Sequence, residues 1–189
     1  MRLNLARTLA RSAANGPGER FVLWVQGCPL ACPGCWNPDT WPRVRRDERT
    51  VEALERDIMA VEGLEGVTFT GGEPFVQALA LAALATRVRA RGLSVAVFTG
   101  FDLEELRSPA ARSLLAVTDL LVAGRYIAAL RTTELALRGS TNQRIHLLTD
   151  RYIISTLTKT TTCEVHIQSD GTLVLTGLPP AELFGWAKS

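Results

Sequence analysis

Gly27-Cys28-Pro29-Leu30-Ala31-Cys32-Pro33-Gly34-Cys35-Trp36 holds three of the four cysteines of the 189-residue chain, spaced C-x3-C-x2-C. Three thiolates on one tight loop can hold three corners of a soft metal centre and leave one open. A closed structural zinc site needs four ligands, whereas a reactive centre keeps a vacancy. Thiolate ligation favours zinc or an iron–sulfur cluster over magnesium, calcium or copper(II). A zinc knuckle would need Cys163, His146 or His166 as its fourth ligand. All three lie more than 100 residues away, and none belongs to a second C-x2-C pair. An odd number of cysteines in the loop argues against disulfides. An incomplete iron–sulfur centre is the favoured reading, with structural zinc left open.

The second fixed point is Val67-Thr68-Phe69-Thr70-Gly71-Gly72-Glu73-Pro74. A β-branched apolar run enters Gly-Gly, then an acid, then proline. Glycines at the carboxyl end of a strand allow close backbone approach to a ligand. Alone this is an ordinary strand-to-helix turn; some 36 residues after the three-cysteine loop it gains meaning.

Together these stretches resemble the radical S-adenosylmethionine (radical SAM) superfamily. Four stretches narrow the resemblance: Asn15-Gly16-Pro17-Gly18-Glu19-Arg20, Gly27-Cys28 through Trp41, Thr99-Gly100-Phe101, and Arg138-Gly139-Ser140-Thr141-Asn142-Gln143. They are similar to the activating proteins of anaerobic ribonucleotide reductases, over about three quarters of the chain. The resemblance implies that Cys28, Cys32 and Cys35 ligate a [4Fe-4S] cluster whose fourth iron takes the amino and carboxylate groups of SAM. It implies that Gly71, Gly72 and Glu73 receive the SAM ammonium, that Gly34 and Trp36 border the nucleoside, and that Thr99 belongs to the same cofactor site. Trp36 is equally readable as an anchor of the loop. The activity implied is reductive cleavage of SAM to a 5′-deoxyadenosyl radical, which installs a glycyl radical on the large subunit of the reductase. A small electron donor such as flavodoxin or ferredoxin is the implied source of the electron. Such chemistry needs no paired carboxylates or Ser/His/Asp set. Two other readings stay open: a radical SAM enzyme acting on a peptide or small metabolite, and a non-catalytic metal-binding module.

The length suits one domain with a sizeable core, residues 1–189, with a core to about 144 and a hairpin extension beyond. The hydrophobic fraction is 47% and the net charge +2, which makes no case for nucleic acid or membrane binding. No apolar run reaches the roughly 20 residues of a membrane span, and no signal-peptide pattern opens the chain. A reducing cytoplasm is the expected location.

Strands are expected at Phe21–Val25, Val67–Thr70, Val95–Phe98 and Asp119–Gly124, alternating with helices near 51–61, 76–91 and 110–117. Residues 2–8 fit either a strand or a helix, and the resemblance favours a strand. Leu79, Ala83, Leu84 and Val88 read as one helix face, and Pro109 as a helix breaker. Such alternation predicts a parallel sheet with its carboxyl ends on one edge. The chain is too short for an eight-fold barrel, typically about 250 residues, so an open, partial (β/α) barrel is expected. Arg43–Arg49 reads as a solvated loop, or as a docking patch for an acidic donor. Arg138–Gln143 reads as a turn tied by side-chain hydrogen bonds, or as a cover over the cofactor or partner. At the end, Cys163, Val165 and Ile167 alternate with Glu164, His166 and Gln168 before Asp170-Gly171 turns the chain into a hairpin. Cys163 is expected to be a buried core thiol on the Val165 and Ile167 face, with His166 exposed.

Overall fold

A computed structural model describes residues 1–159, 163–167 and 170–179. Nine strands appear among them: β1 (Arg2–Ser12), β2 (Arg20–Val25), β3 (Asp47–Thr50), β4 (Gly66–Gly71), β5 (Ser94–Phe98), β6 (Leu120–Ala123), β7 (Arg144–Leu147), β8 (Cys163–Ile167) and β9 (Leu173–Gly177). Three α-helices join them: α1 (Val51–Met59), α2 (Ala78–Arg89) and α3 (Pro109–Leu115).

Seven strands form one sheet in the order β3-β1-β2-β4-β5-β6-β7, and β8 and β9 form a separate hairpin. Within the sheet β2, β4, β5 and β6 run parallel. The expectation of parallel strands holds for that centre and fails at its flanks, where β1, β3 and β7 pair antiparallel. The reason is connection length. Residues 13–19 between β1 and β2 are too few for a crossover, so the chain folds back as a hairpin. The sheet is open, with β3 and β7 at its edges.

Strand alternation sorts the core. Phe21, Leu23 and Val25, with Val67, Phe69, Val95, Val97 and Leu121, pack under α1, α2 and α3. Ala96, Leu120 and Val122 face the other way, against Leu137 and Leu157. The helices start at caps the sequence supplies: Thr50 Oγ1 accepts from Ala53 N–H, and Ser108 accepts from Ala111 N–H. Pro109 begins α3 rather than breaking a helix, because the first helical position has no N–H to lose. Leu79 is exposed, while Leu81, Leu84, Ala85 and Val88 are buried. A helix that reads Ala-Leu-Ala-Leu-Ala-Ala-Leu-Ala shows no face by periodicity alone.

Arg20 is fully buried at the amino end of the parallel strands. Its Nε donates to Thr68 Oγ1 at 2.7 Å, its Nη1 to Pro17 O and Ser94 Oγ, and its Nη2 to Val67 O. The Tyr152 hydroxyl links Ser94 to Glu65. The Asn15–Arg20 stretch is thus a folding device: Gly16 leaves room for the Arg20 side chain, and Asn15 O accepts from Thr68.

The hairpin reverses the face expected for it. Val165 and Ile167 are 57% and 76% exposed, and Cys163 is only partly covered rather than in a core. The opposite face docks instead. The Glu164 carboxylate accepts from the Ser12 hydroxyl and from Ala13 N–H, and the Thr176 hydroxyl accepts from Asn15 Nδ2. His166 is half-buried beside Glu164. Alternation tells which residues share a face, not which face meets the protein; here polar hooks outweighed apolar area. Gln168 lies outside the described residues. In the 43–49 stretch, residues 43–46 are exposed as expected, but Asp47–Thr50 forms β3 against β1.

Candidate functional site

The parallel centre brings four strand ends to one edge. β2 ends at Val25 before Gln26-Gly27-Cys28, β4 at Gly71, β5 at Phe98 before Thr99-Gly100, and β6 at Ala123 before Gly124. Cys28, Cys32, Cys35, Gly71, Gly72, Glu73 and Thr99 therefore belong to one edge, as the strand order predicted.

The three-cysteine loop is tied at its base. Gly27 N–H donates to Thr40 O at 2.8 Å and Cys28 N–H to Trp41 O at 3.1 Å, while Gln26 Nε2 donates to Pro42 O at 2.7 Å. Gly72 N–H donates to Val25 O at 2.8 Å and Glu73 N–H to Gly27 O at 2.9 Å, so the Gly-Gly-Glu turn is stitched to the loop. Leu30 lies over Gly100 so closely that a Cβ there would strike it.

All three thiols are partly buried and close enough to influence one another. Burial pushes the Cys28 and Cys32 thiols up, and neighbouring cysteine charge pushes them further. Main-chain hydrogen bonds oppose this: Leu30 and Ala31 at Cys28, Tyr126 at Cys32. Asn37 N–H donates to Cys35 Sγ at 3.4 Å. Each sulfur thus has a main-chain partner suited to a thiolate. No trio of His, Cys, Asp or Glu among the described residues closes on a single ion. Three mutually interacting thiols, with a main-chain donor on Cys35, are a soft donor set of the kind that holds an iron–sulfur centre. Gly34, at φ +77°, sits where a Cβ would lie 3.2 Å from Ala128 Cβ. Trp36 is half-buried, with the Arg131 guanidinium carbon 5.7 Å from its ring centre.

Glu73 is the most perturbed acid of the edge. It is fully buried. Burial raises its pKa to about 7, against three donors that pull it down: Phe75 N–H, Gly100 N–H and the Thr99 hydroxyl. Oε1 accepts from Thr99 Oγ1 at 2.8 Å and Oε2 from Gly100 N–H at 2.9 Å. The carboxylate therefore already joins the ends of β4 and β5, a role the sequence reading did not foresee. Thr99 likewise serves that link.

Gly71 has φ +97°, and a Cβ on it would lie 2.6 Å from Trp24 Cα. A Cβ on Gly72 would lie 2.5 Å from Gly27 O. Gly71→Ala is expected to destabilise the protein by more than about 1 kcal/mol, since alanine neither fits nor tolerates that backbone. Urea unfolding of the metal-free chain checks this; a stability equal to wild type would show that the turn relaxes freely.

Sequence reasoning missed Arg7, Asn37 and Gln77. Arg7 Nη2 donates to Asn37 Oδ1 at 2.6 Å, and its guanidinium carbon lies 4.7 Å from the Trp24 ring centre. Gln77 Oε1 accepts from Asn4 N–H, and its Nε2 donates to Asn4 O and Gln26 O. The one available signal was position: Gln26 is a polar residue ending an apolar run directly before Gly-Cys.

A family model described as a 4Fe-4S single cluster domain matches residues 14–146. The anaerobic ribonucleoside-triphosphate reductase-activating protein of Escherichia coli K12 is 34% identical over 145 residues, covering 71% of this chain and 92% of that protein. The protein of the same name from bacteriophage T4 is 30% identical over 154 residues, covering 78% and 96%. The solved structure of QueE from Escherichia coli overlaps 53% of each chain at 19% identity, with a TM-score of 0.47. That last likeness is too slight to build on. No helix among the described residues is long and apolar enough to cross a membrane.

Proposed function

Because the chain belongs to the radical SAM family of anaerobic ribonucleoside-triphosphate reductase-activating proteins, we propose that it installs a glycyl radical on the large subunit of an anaerobic ribonucleotide reductase. The observation that carries this is the convergence of Cys28, Cys32 and Cys35 with Gly71-Gly72-Glu73 at one edge of a parallel sheet.

Cys28, Cys32 and Cys35 would hold a [4Fe-4S] cluster. With SAM bound beside it, that group would supply one-electron reductive cleavage of the C5′–S bond, the electron coming from an external donor and the hydrogen atom that completes 5′-deoxyadenosine from a glycine Cα. The protein supplies position and burial. Burial raises the Cys28 and Cys32 thiols and favours their protonated form in the metal-free chain, so loading with iron would release protons. The carbonyls of the Gly71-Gly72 edge and the Glu73 carboxylate would receive the SAM ammonium. An ammonium beside Glu73 opposes the burial that raises its pKa, so cofactor binding would draw a proton off it. Gly34 and Trp36 would border the nucleoside, and Thr99 would orient Glu73.

The open sheet fits a partial barrel whose mouth admits a loop of a protein substrate. Exposed arginines at 43, 45 and 46, beside the cluster loop, suit an acidic one-electron donor such as flavodoxin or ferredoxin. Such an oxygen-sensitive centre belongs in the cytoplasm.

The test is anaerobic. Iron- and sulfide-reconstituted protein, given SAM and a strong reductant, is expected to form 5′-deoxyadenosine. Adding the reductase is expected to give an EPR radical signal on the reductase polypeptide, narrowed by Cα-deuterated glycine. Deoxyadenosine without a radical on the reductase would redirect the activity to another substrate; neither product from a loaded cluster would overturn the proposal.

A further inference from the structure

Arg138-Gly139-Ser140-Thr141-Asn142-Gln143 joins the sheet edge to a segment with little structure of its own. Residues 124–132 follow β6 and hold only one short 3-10 turn, Ala128–Leu130. Their fixation comes from outside. Gln143 Oε1 accepts from Gly139 N–H at 2.8 Å and Ser140 N–H at 3.2 Å, which rolls the second loop on itself. Gln143 Nε2 then donates to Gly124 O at 3.0 Å, and Asn142 Nδ2 to Arg125 O at 2.8 Å. Ile127 N–H donates to Ser140 Oγ, Thr141 N–H to Leu130 O, and Thr132 N–H to Gly139 O. Along its whole length the 124–132 segment is held by residues 139–143.

The far side of that segment meets the three-thiol loop. Ala128 Cβ and Tyr126 Cε1 lie 3.2 and 3.6 Å from the place a Gly34 Cβ would take. Arg131 lies over the Trp36 ring.

We propose that Gln143 and Asn142 are positioning residues for the metal centre: they clamp residues 124–132 against the cysteine loop, keep Ala128 and Tyr126 packed on Gly34 and Arg131 over Trp36, and so set the reduction potential. This rests on the cluster reading given above. The physical link is that groups packed behind the ligands orient them and set how far water reaches the sulfurs, and both tune the potential. Neutral amides do this without adding charge beside the thiolates.

Full-length Gln143→Ala and Asn142→Ala proteins provide the test, with two readouts. Hydrogen–deuterium exchange of the metal-free chain is expected to quicken in residues 124–132 and stay unchanged in α2. In reconstituted protein without substrate, iron content is expected to match wild type, while the EPR-monitored midpoint potential shifts away from the wild-type value. Unchanged exchange overturns the clamp. Faster exchange with a wild-type potential overturns the link to the cluster. If wild type itself takes up no iron–sulfur centre, the cluster reading fails, and with it the potential, while exchange still decides the clamp. Ser140→Ala, which removes one bond, is the milder variant should Gln143→Ala not fold. Smaller shifts support the proposal, and none overturns it.

Discussion

Cys32→Ala is expected to lose the iron–sulfur centre and all 5′-deoxyadenosine formation while keeping the fold. Two remaining thiolates leave one iron corner without its ligand, and the fourth cysteine of the chain, Cys163, sits on the β8–β9 hairpin without influence from the loop cysteines. The fold survives because the loop is anchored by main-chain bonds at Gly27 and Cys28, not by its thiols. Cys163→Ala is the matched control. That thiol sits on the β8–β9 hairpin, and its neighbours in charge include Glu164 but none of the three loop cysteines. Iron and sulfide analysis with product assay separates the two variants. Full iron retention by Cys32→Ala, or loss of it in Cys163→Ala, would mean that the ligands are misassigned.

Glu73→Gln is expected to remove a pH dependence that wild type carries. The folded pKa is raised to about 7 from the ordinary 4.5 of a glutamate, chiefly by burial. At low pH the group is protonated in both folded and unfolded chains. As pH rises from about 4.5 to about 7, the unfolded chain ionises first, so stability falls across that window and levels off above it. A shift of that size corresponds to about 3 kcal/mol, at 1.36 kcal/mol per unit. Urea midpoints of the metal-free protein at pH 5 and pH 8 should differ in this direction for wild type. For Glu73→Gln the difference should shrink, although the amide meets Gly100 N–H with a donor where an acceptor stood. If Glu73 also receives the SAM ammonium, affinity for SAM should rise with pH through about 7 in wild type and not in the variant. An affinity indifferent to pH would leave Glu73 as a brace between β4 and β5 alone.

Much of the site was legible in the chain because its parts are local. The C-x3-C-x2-C loop and Gly71-Gly72-Glu73 each announce themselves within ten residues, and strand–helix alternation puts them on one edge. What stayed hidden depends on partners distant in sequence. Arg20 reads as a charged residue before an apolar run, and only Ser94 and Thr68 make it a buried one. The strand Arg144-Ile145-His146-Leu147 has too weak an alternation to see, and is fixed by pairing with β6. For the hairpin, apolar alternation pointed to the wrong face, because Glu164 finds Ser12 and Ala13 some 150 positions away. The Arg138–Gln143 stretch was readable as a turn tied by its side chains, but not as the holder of a second loop.

The Arg20 cluster has a consequence for traffic. With its guanidinium, Thr68 and Ser94 fully buried, the amino end of the parallel strands is a closed wall, and the strand ends bearing the cysteines are the doorway. On the proposed function, a polypeptide loop seated there would cork it, and spent small molecules would leave only after the loop withdraws. Arrivals and departures would then form a queue, paced under turnover by how quickly the visitor backs out.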